Sequence, residues 1–401
     1  MHSVKKRGGG FLRDLKTAKN WNRAGRYFFL RSGKNTFREE ARGRIFAGLK
    51  IGANMGIDVI IPVYRPDKKF DKLFAALLAQ TVKPDRMILM NTEAEGFTCR
   101  DIERRLNRLM GKLKVYGKKQ IAVQVVPVKK EEFDHGGTRR KAVKLSGADY
   151  FVMMTQDAVP ADDYLIERLL LAVKEEGCAL SYARQAAPLN STVVEQYTRM
   201  FNYPNSSYVK TKEDLPRLGI KTYFCSDVCA AYKRSAYDEV GGFVERTIFN
   251  EDSIIASRLI EAGYGIAYVA EAKVYHSHNY SLKEQFKRNF DLGVSHMQFG
   301  EIFRSVPAEG EGLRLVKDTF SYLVGQKRYL DVLDLLFQSG AKFLGYQLGK
   351  RYQFIPHNLL LSCTSNASYF DKGEICAVEP GNSEPDYEGA DEKQHDGGLN
   401  G

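Results

Sequence analysis

Hydrophobic positions in the first half of the chain fall into short apolar runs, separated by segments whose apolar residues recur at helical spacing. The first run covers residues 57–64 (IDVIIPVY), and the segment after it places Leu73, Leu77 and Leu78 on one helix face. Further strand-like runs cover 87–90, 121–128 and 150–154, with helical segments between them at 101–113 and 139–145. The alternation of strand and helix predicts an α/β fold with a mostly parallel sheet covered on both faces.

The second half of the chain has a mixed pattern. Short strands are predicted at 179–182, 228–232 and 265–274. From 313 to 348 the apolar residues return to helical spacing, with Lys and Arg between them. This segment is either a helical hairpin packed on the domain or a helix that lies in a membrane interface, and the pattern leaves both interpretations open.

The chain has 401 residues, of which 43% are hydrophobic, so it can bury a full core. No apolar run approaches the roughly 18 residues of a transmembrane helix, and the start MHSVKKRGGG lacks the apolar stretch of a secretory signal. The six cysteines are scattered, which favours a reducing compartment over a disulfide framework. We expect a cytoplasmic protein, and peripheral attachment to the inner face of the plasma membrane stays open.

The net charge of +11 is concentrated at the N-terminus. Residues 1–56 hold 14 Lys or Arg against three Asp or Glu, whereas residues 372–401 hold two against eight. We therefore predict four segments: a basic arm at 1–56, a main domain at 57–300, a helical extension at 301–371 and an acidic, disordered tail at 372–401. The arm is either a solvated leader or a contact for anionic lipid or nucleic acid.

Polar side chains stand directly after three of the predicted strands. In parallel sheets ligands bind outside the carboxyl ends of the strands, where neighbouring strand ends meet at one edge. The residues concerned are Tyr64 and Arg65, Asn91 and Thr92, and Thr155, Gln156 and Asp157. Asp157 is suited to hold a Mg²⁺ or Mn²⁺ that bridges a diphosphate, although an Asp here can equally cap the following helix.

The segment DHGGTRR, residues 134–140, opens a predicted helix one crossover before Asp157. Its two glycines let the backbone approach a ligand, and Thr138 can cap the helix. The helix start and Arg139 together offer positive charge to phosphate oxygens, although two glycines before a helix are also common in ordinary loops.

Two other pairs of residues carry groups suited to catalysis. Glu251 and Asp252 lie in the first turn of a predicted helix, either because the helix dipole favours acids there or because one of them is a general base. His276 and His278 follow a predicted strand and are suited to complete a metal site or to meet a phosphate. Two histidines alone do not define a metal site.

Seven segments, in their order and spacing, resemble the family 2 inverting glycosyltransferases. They are PVYRPD, DHGGTRR, TQDAVPADDYL, SYARQ, CSDVCAAYKRSAYDEVGGF, FNEDSIIASRL and VYHSHNYSLKEQFKRNFDLGV. The resemblance covers residues 57–300, and FDHGGTR, TQDA and SHNYS are similar especially to the rhamnosyltransferase branch, which uses dTDP-L-rhamnose. It implies a GT-A type, Rossmann-like fold, with a mixed, mostly parallel sheet flanked by helices and followed here by a C-terminal helical extension.

The resemblance also implies roles for individual residues. Asp252 would be the general base, ionised at neutral pH, and Glu251 would stand beside it on the acceptor side. Asp157 and His278 would hold Mg²⁺ or Mn²⁺, with His276 nearby. The residues implied to face the nucleotide-sugar donor, a dTDP- or UDP-sugar, are Pro62, Tyr64, Arg65, Asn91, Gly137, Arg139, Gln156 and Arg184.

The chain departs from the family pattern at three places, one of which is the helix after Gly137, where Arg139, Arg140 and Lys141 stand in place of the usual Arg-Asn. Thr155 and Gln156 stand where the first acids of the metal motif are common, which leaves Asp157 as the one carboxylate of that motif. Asp227 stands where Asn is common beside the acceptor. The departures put tight metal binding in question more than they affect the proposed base.

The function predicted is inverting transfer of a sugar, L-rhamnose from dTDP-rhamnose, to a saccharide or lipid-linked saccharide in cell-surface polysaccharide synthesis. The alternatives are a hexosyl or hexosaminyl transferase that uses a UDP-sugar, a sugar-nucleotide-binding protein without catalysis, and a nucleic-acid-binding protein. Because most of the excess positive charge lies in the arm, we expect no nucleic-acid partner. An anionic membrane surface and a homo-oligomer stay open as partners.

Overall fold

The computed structural model describes residues 56–113, 121–304 and 310–371. The predicted tail and all of the predicted arm except Gly56 lie outside these ranges. Nine strands form one sheet: β1 (Ile57–Tyr64), β2 (Arg86–Thr92), β3 (Ala122–Val128), β4 (Tyr150–Met154), β5 (Val159–Pro160), β6 (Cys178–Ala186), β7 (Tyr208–Lys210), β8 (Cys229–Lys233) and β9 (Gly265–Tyr275).

Helices of very different length surround the sheet. Those before the last strand are α1 (Lys68–Ala79), α2 (Cys99–Lys112), α3 (His135–Leu145), α4 (Leu165–Val173), α5 (Val193–Asn202), α6 (Leu215–Leu218), α7 (Arg234–Glu239) and α8 (Glu251–Glu261). Those after it are α9 (Leu282–Gln298), α10 (Gly300–Arg304), α11 (Glu311–Gly325), α12 (Tyr329–Gly349) and α13 (His357–Cys363). The predicted fold class is confirmed: a mixed sheet flanked by helices, with a C-terminal helical extension.

The direction of the strands decides which loops meet. The strand order is β3-β2-β1-β4-β8-β6-β9-β5, with β7 paired to β9. Strands β1 to β4 are parallel, β8 is antiparallel to both β4 and β6, and β9 is parallel to β6. One edge of the sheet therefore collects the carboxyl ends of β1, β2, β4, β6 and β9 together with the amino end of β8.

Both faces of the central strands are buried, as expected for a sheet covered by helices on each side. Along β1, Val59 and Ile61 pack into the apolar cluster under α1, α2 and α4, whereas Ile60 packs into the cluster under α3 and α8. These side chains alternate because successive residues of a strand point to opposite faces.

Helix α3 begins at His135, four residues earlier than the sequence pattern predicted. The reason is a cap: the Asp134 carboxylate accepts a hydrogen bond of 2.7 Å from the backbone N–H of Gly137. Thr138 was predicted to be able to cap this helix, and that expectation is wrong, because Thr138 lies buried inside the first turn. Capping by Asp satisfies one of the backbone N–H groups that a helix start leaves unpaired.

The region at 313–348 forms two helices, α11 and α12, which turn at Lys327 through a left-handed backbone conformation (φ 57°). The inner side of this hairpin packs on α5, where Val194, Leu323, Val332 and Leu335 form one buried cluster. Farther along α12, glycines allow close contact with α9, and a Cβ at Gly349 would overlap the backbone of α9. None of the helices that the structure describes is long and apolar enough to cross a membrane.

Candidate active site

Three residues with metal-binding side chains meet at the sheet edge where the carboxyl ends of the parallel strands lie. Asp157 follows β4, and His276 and His278 follow β9, whose last residue pairs with Val159. The Asp157 carboxylate lies 3.1 Å from Nε2 of His278 and 3.5 Å from Nε2 of His276. The Nε2 atoms of the two histidines are 3.0 Å apart.

The chemistry of this cluster fits a divalent cation. One ligand atom from each residue lies within 4.8 Å of the others, a spacing that lets all three contact one ion. Burial lowers the pKa of His276 well below its ordinary value, and burial also lowers the pKa of His278, although the Asp157 carboxylate opposes that shift. Both imidazoles are therefore held neutral, which is the form that binds metals.

Gln185, at the end of β6, fixes the orientation of the His276 ring. Its Oε1 accepts a hydrogen bond from the Arg199 guanidinium, and an Arg can only donate, so the atom at this position must be the amide oxygen. His276 Nδ1 lies 3.0 Å from the same oxygen and must donate to it. The lone pair of His276 is thereby placed on Nε2, which faces Asp157 and His278.

A second cluster, of three carboxyl groups around one guanidinium, lies at the start of α8. Arg139 NH1 is 3.0 Å from Glu251 Oε1, and Arg139 Nε is 3.2 Å from Asp227 Oδ2. The Asp252 carboxylate accepts the backbone N–H of Asp227 at 3.4 Å and that of Ser253 at 2.7 Å. Three acids therefore share one buried cation.

The electrostatics of this second cluster separate its acids. Burial, and after it the negative charge of Glu251, raise the pKa of Asp252 to about 7. Burial is also the largest effect on Glu251 and opposes its ionisation, but the charges of Arg139, His135 and Arg288 and a backbone hydrogen bond together outweigh it, so the pKa of Glu251 lies below its usual value. Burial also raises the pKa of Asp227, although Arg139 counteracts it. The expectation that Asp252 is fully ionised at neutral pH is therefore corrected: it titrates near neutrality, because one guanidinium cannot balance three buried carboxylates.

Arg139, expected at the donor phosphates, makes its ion pairs with these acids. The start of its helix is occupied by the Asp134 cap. Gly136 and Gly137 face backbone oxygens of residues 244 and 245 so closely that a Cβ would overlap them. The two glycines thus have a packing role in this structure, and the contacts of Arg139 place its charge among the three acids.

Arg288 was not singled out from the sequence, although it lies within the motif that contains the histidines. On α9, its guanidinium is 4.7 Å from the ring centre of Tyr280 and 5.3 Å from that of Phe249. The Tyr280 ring stacks on His278 at 4.8 Å, and the Phe249 ring lies 6.1 Å from that of His135. Within the described ranges Arg288 has neither a hydrogen bond nor an ion pair, so two aromatic rings hold its charge between the two clusters without an anionic partner.

The residues expected at the nucleotide lie at the ends of β1, β2 and β4. The Gln156 side chain pairs with the backbone N–H and C=O of Tyr64, with both hydrogen bonds at 2.9 Å. Arg65 has a left-handed backbone (φ 44°) and lies over the Tyr64 ring. Asn91 is buried and donates to the backbone of residue 97, while its Oδ1 has no hydrogen-bond partner in the part of the chain that the structure describes.

Two residues predicted to face the nucleotide sugar, Pro62 and Arg184, have no polar side-chain contact in the described ranges. Pro62 is half-buried within β1, near its carboxyl end. Arg184 is half-buried on β6 and points away from Gln185, because neighbouring strand residues face opposite sides. Within the described ranges Arg184 makes no ion pair or hydrogen bond.

Gln185 also connects the two clusters. Its Nε2 donates to Ser226 Oγ at 2.9 Å, and Ser226 precedes Asp227 of the acid cluster. The Gln185 amide therefore contacts His276 of the candidate cation site through its oxygen. Its nitrogen contacts the loop before β8, which also carries Asp227. The arrangement combines a candidate cation site, a carboxyl group that titrates near neutral pH and a guanidinium held by two aromatic rings along one sheet edge.

Such an edge suits the transfer of a group from a diphosphate leaving group to a hydroxyl nucleophile. Residues 58–241 match the family described as glycosyl transferase family 2. The O-antigen chain rhamnosyltransferase RfbN of Salmonella typhimurium is 37% identical over 329 residues, which cover 80% of this chain and 100% of that protein. The chain belongs to glycosyltransferase family 2, and it is an enzyme of that class.

One further relative and one solved structure are also similar to the chain. The O-antigen chain rhamnosyltransferase WbaN of Salmonella anatum is 35% identical over 326 residues, or 79% of this chain and 98% of that protein. Among solved structures, the mannosyltransferase PcManGT from Pyrobaculum calidifontis, in complex with GDP-Man and Mn²⁺, matches with a TM-score of 0.47 and 13% identity. That match covers 81% of this chain and 85% of the mannosyltransferase chain.

Proposed function

We propose that the protein transfers L-rhamnose from dTDP-L-rhamnose to a saccharide or lipid-linked saccharide during O-antigen type polysaccharide synthesis, with inversion at the anomeric carbon. The observation that carries sugar transfer is the pair of clusters at one edge, with Asp252 on one side and Asp157, His276 and His278 on the other. The choice of rhamnose is supported by two relatives, 37% and 35% identical over almost their whole length, that are both O-antigen chain rhamnosyltransferases.

In the proposed reaction, the Asp252 carboxylate takes the proton of the acceptor hydroxyl. The hydroxyl oxygen forms a bond to the anomeric carbon while the bond from that carbon to the diphosphate oxygen breaks, and the electron pair leaves with the diphosphate. A base with a pKa near the working pH combines an ionised fraction with adequate basicity. The pKa of Asp252, raised to about 7 by burial and by Glu251, meets this requirement.

The second requirement is positive charge for the leaving group. Asp157, His276 and His278 would hold a divalent cation, which supplies neutralisation of the diphosphate when bound. Two imidazoles in a set of three ligands favour Mn²⁺ over Mg²⁺, because Mg²⁺ prefers oxygen ligands throughout. The unpaired guanidinium of Arg288 would add a fixed positive charge near the same oxygens.

The donor residues follow from the same edge. The paired loops of Tyr64 and Gln156 and the buried Oδ1 of Asn91 offer a surface and an acceptor to a pyrimidine base, whose ring N–H is a donor. We propose these residues, with Pro62 and Arg65, as the nucleoside side of the site. The acceptor would lie by the acid cluster, within reach of Asp252.

A donor screen tests the proposal. The purified protein is incubated with Mn²⁺, a rhamnose-accepting lipid-linked saccharide and, separately, dTDP-L-rhamnose, UDP-glucose or UDP-N-acetylglucosamine, and nucleoside diphosphate release is measured. We expect release from dTDP-L-rhamnose at least tenfold above that from either UDP-sugar, with product confirmed by mass spectrometry. Faster turnover of a UDP-sugar would identify a hexosyl or hexosaminyl transferase instead, and acceptor-dependent turnover of none would reject the catalytic proposal.

Asp157→Asn and the matched exposed variant Asp149→Asn separate the metal role from general effects. The first should lose stimulation by Mn²⁺ and the second should keep it, since Asp149 lies at the opposite end of β4. Equal stimulation of both variants would remove Asp157 from the metal site.

A lipid-linked acceptor is held in a membrane. We therefore further propose that the enzyme works peripherally at the cytoplasmic face of a membrane, with the arm at 1–56 as one basic contact.

A further inference from the structure

The outer side of α12 carries a second apolar stripe in addition to the one that packs against the domain. Its large side chains recur three, four and seven residues apart, which is the spacing of one helix face. Leu330 is 83% exposed and Phe337 is 65% exposed. The other exposed members are Leu333, Leu344 and Leu348, and the exposed Leu336 and Phe343 lie beside the stripe on the helix.

This stripe is unusual for a helix that is already anchored. An amphipathic helix normally turns its apolar side to the core and its polar side to water. Here Val332, Leu335 and Gly349 form the packed side, so the exposed stripe is left over after packing. From Leu330 to Leu348 it extends over about 27 Å at 1.5 Å per residue. Apolar patches of this extent on a protein surface mark binding surfaces.

The charges around the stripe indicate what covers it. Residues 313–351 hold seven Lys or Arg against three Asp or Glu. Exposed cations lie on α11, at the turn and at the end of α12, at Lys317, Lys327, Lys350 and Arg351. A second copy of the chain on the same face would bring these cations together, whereas an anionic bilayer surface is complementary to them. Leu and Phe bordered by Lys and Arg are typical of helices that lie in a membrane interface.

We propose that the outer face of α12 docks the enzyme on an anionic lipid bilayer. The helix would lie parallel to the surface, with its stripe among the upper acyl chains and its flanking cations at the headgroups. The hairpin contacts α5, which carries Arg199, and α9, which carries Arg288. Docking through α12 would therefore hold the catalytic edge close to the bilayer. This purpose rests on the proposed lipid-linked acceptor, but the docking itself does not.

Sedimentation with vesicles tests the docking surface on the full chain. The vesicles contain phosphatidylglycerol and phosphatidylcholine at 30:70, or phosphatidylcholine alone, at about 0.1 M salt. The variant L330S/F337S/L344S removes three members of the stripe, and the matched control L113S/L145S/L189S removes three exposed leucines elsewhere on the described surface. We expect the wild type and the control to bind the anionic vesicles. The stripe variant should bind roughly 100-fold more weakly, at about fivefold for each half-buried side chain lost.

A charge variant tests the same docking surface without changing any apolar side chain. K317E/K350E should weaken binding to the anionic vesicles at least tenfold, whereas K112E/K144E, two exposed lysines on other helices, should change it less than twofold. Circular dichroism melting of each variant checks that the fold is retained.

Three outcomes overturn the proposal. They are equal binding of the stripe variant and the wild type, no binding of the wild type to anionic vesicles, and a wild-type dimer by light scattering that becomes a monomer in the stripe variant. The assay contains neither donor nor acceptor, so it reads docking alone. Failure of the rhamnosyl-transfer assay would leave the vesicle result unaffected, and the reverse also holds.

Discussion

Asp252→Asn is the most informative single change to the candidate site, because it preserves the size of the side chain and removes its ability to take a proton. Proton transfer by a positioned side chain typically contributes about 10²- to 10⁴-fold, so we expect kcat to fall by that factor. Donor binding, measured by titration with the nucleotide sugar, should stay near the wild-type value, since Asp252 belongs to the acid cluster and not to the cation cluster.

The pH dependence supplies a magnitude specific to this protein. With a pKa of about 7, Asp252 is ionised in about one tenth of molecules at pH 6 and about nine tenths at pH 8. The wild-type kcat should therefore rise about ninefold between these values and level off above pH 8. The rise reflects the base alone when saturating donor, acceptor and Mn²⁺ are present at both values.

A neighbouring substitution tests the cause of the raised pKa. Glu251→Gln removes the closest negative charge, which lowers the pKa of Asp252, so the acid limb of the profile should move to lower pH. Glu245→Gln changes an 80% exposed carboxylate that pairs with Arg140, and it should leave the limb in place. An Asp252→Asn enzyme within about threefold of the wild-type kcat would refute the reasoning, as would a Glu251→Gln limb that stays or moves to higher pH.

Three other perturbations probe the rest of the site. Arg288→Ala should lower kcat about 10²- to 10³-fold with a smaller effect on donor binding, and Arg288→Lys should recover part of the loss; equal kinetics of Arg288→Ala and wild type would contradict a role at the leaving group. Gln185→Leu should weaken Mn²⁺ binding about 10- to 100-fold in calorimetry with the metal alone, and unchanged affinity would separate Gln185 from the cation cluster. Asp252→Asn should raise the melting temperature at pH 8, because a carboxyl whose folded pKa lies above its unfolded pKa costs stability as pH rises between the two. That gain should fade toward pH 4, and a gain that does not vary with pH would be inconsistent with burial as its cause.

The sequence pattern could predict the sheet edge that carries the candidate site, because strand ends are local features. Apolar runs mark where a strand stops, and the rule that ligands bind at carboxyl ends of parallel strands brings Asn91 and Asp157 to one edge. The placement of His276 and Asp252 there also depends on strand directions after residue 178, which the pattern did not resolve. Residue type and position had already made both residues candidates, and they reach the same edge because β8 is antiparallel to β4 and β6, which leaves β9 parallel to β4.

The side-chain contacts at the candidate site could not be predicted from the spacing of apolar residues. Gln185 and His276 are 91 residues apart and meet only because β6 and β9 are parallel neighbours. Arg139 appeared to be a phosphate ligand because a basic residue follows two glycines at a helix start, yet its partners come from two distant loops. The pKa of Asp252 depends on burial and on Glu251, and burial at a helix start cannot be predicted from residue type. The Asp134 cap, by contrast, could have been predicted from the sequence, since Asp before a helix is a frequent N-cap.

The Gln185 side chain contacts both halves of the candidate site. An amide side chain has two donor hydrogens and two acceptor lone pairs, and here all four are used. Its oxygen accepts from Arg199 and His276, and its nitrogen donates to Tyr203 and Ser226. With every position filled, the amide has one orientation, since a flip would set its donors against the donor-only guanidinium. A shift of His276 toward a bound cation must then either stretch a bond to Gln185 or move the amide, and with it Ser226 and the loop that precedes the acid cluster. The candidate cation site and the acid cluster are thus connected through one buried side chain.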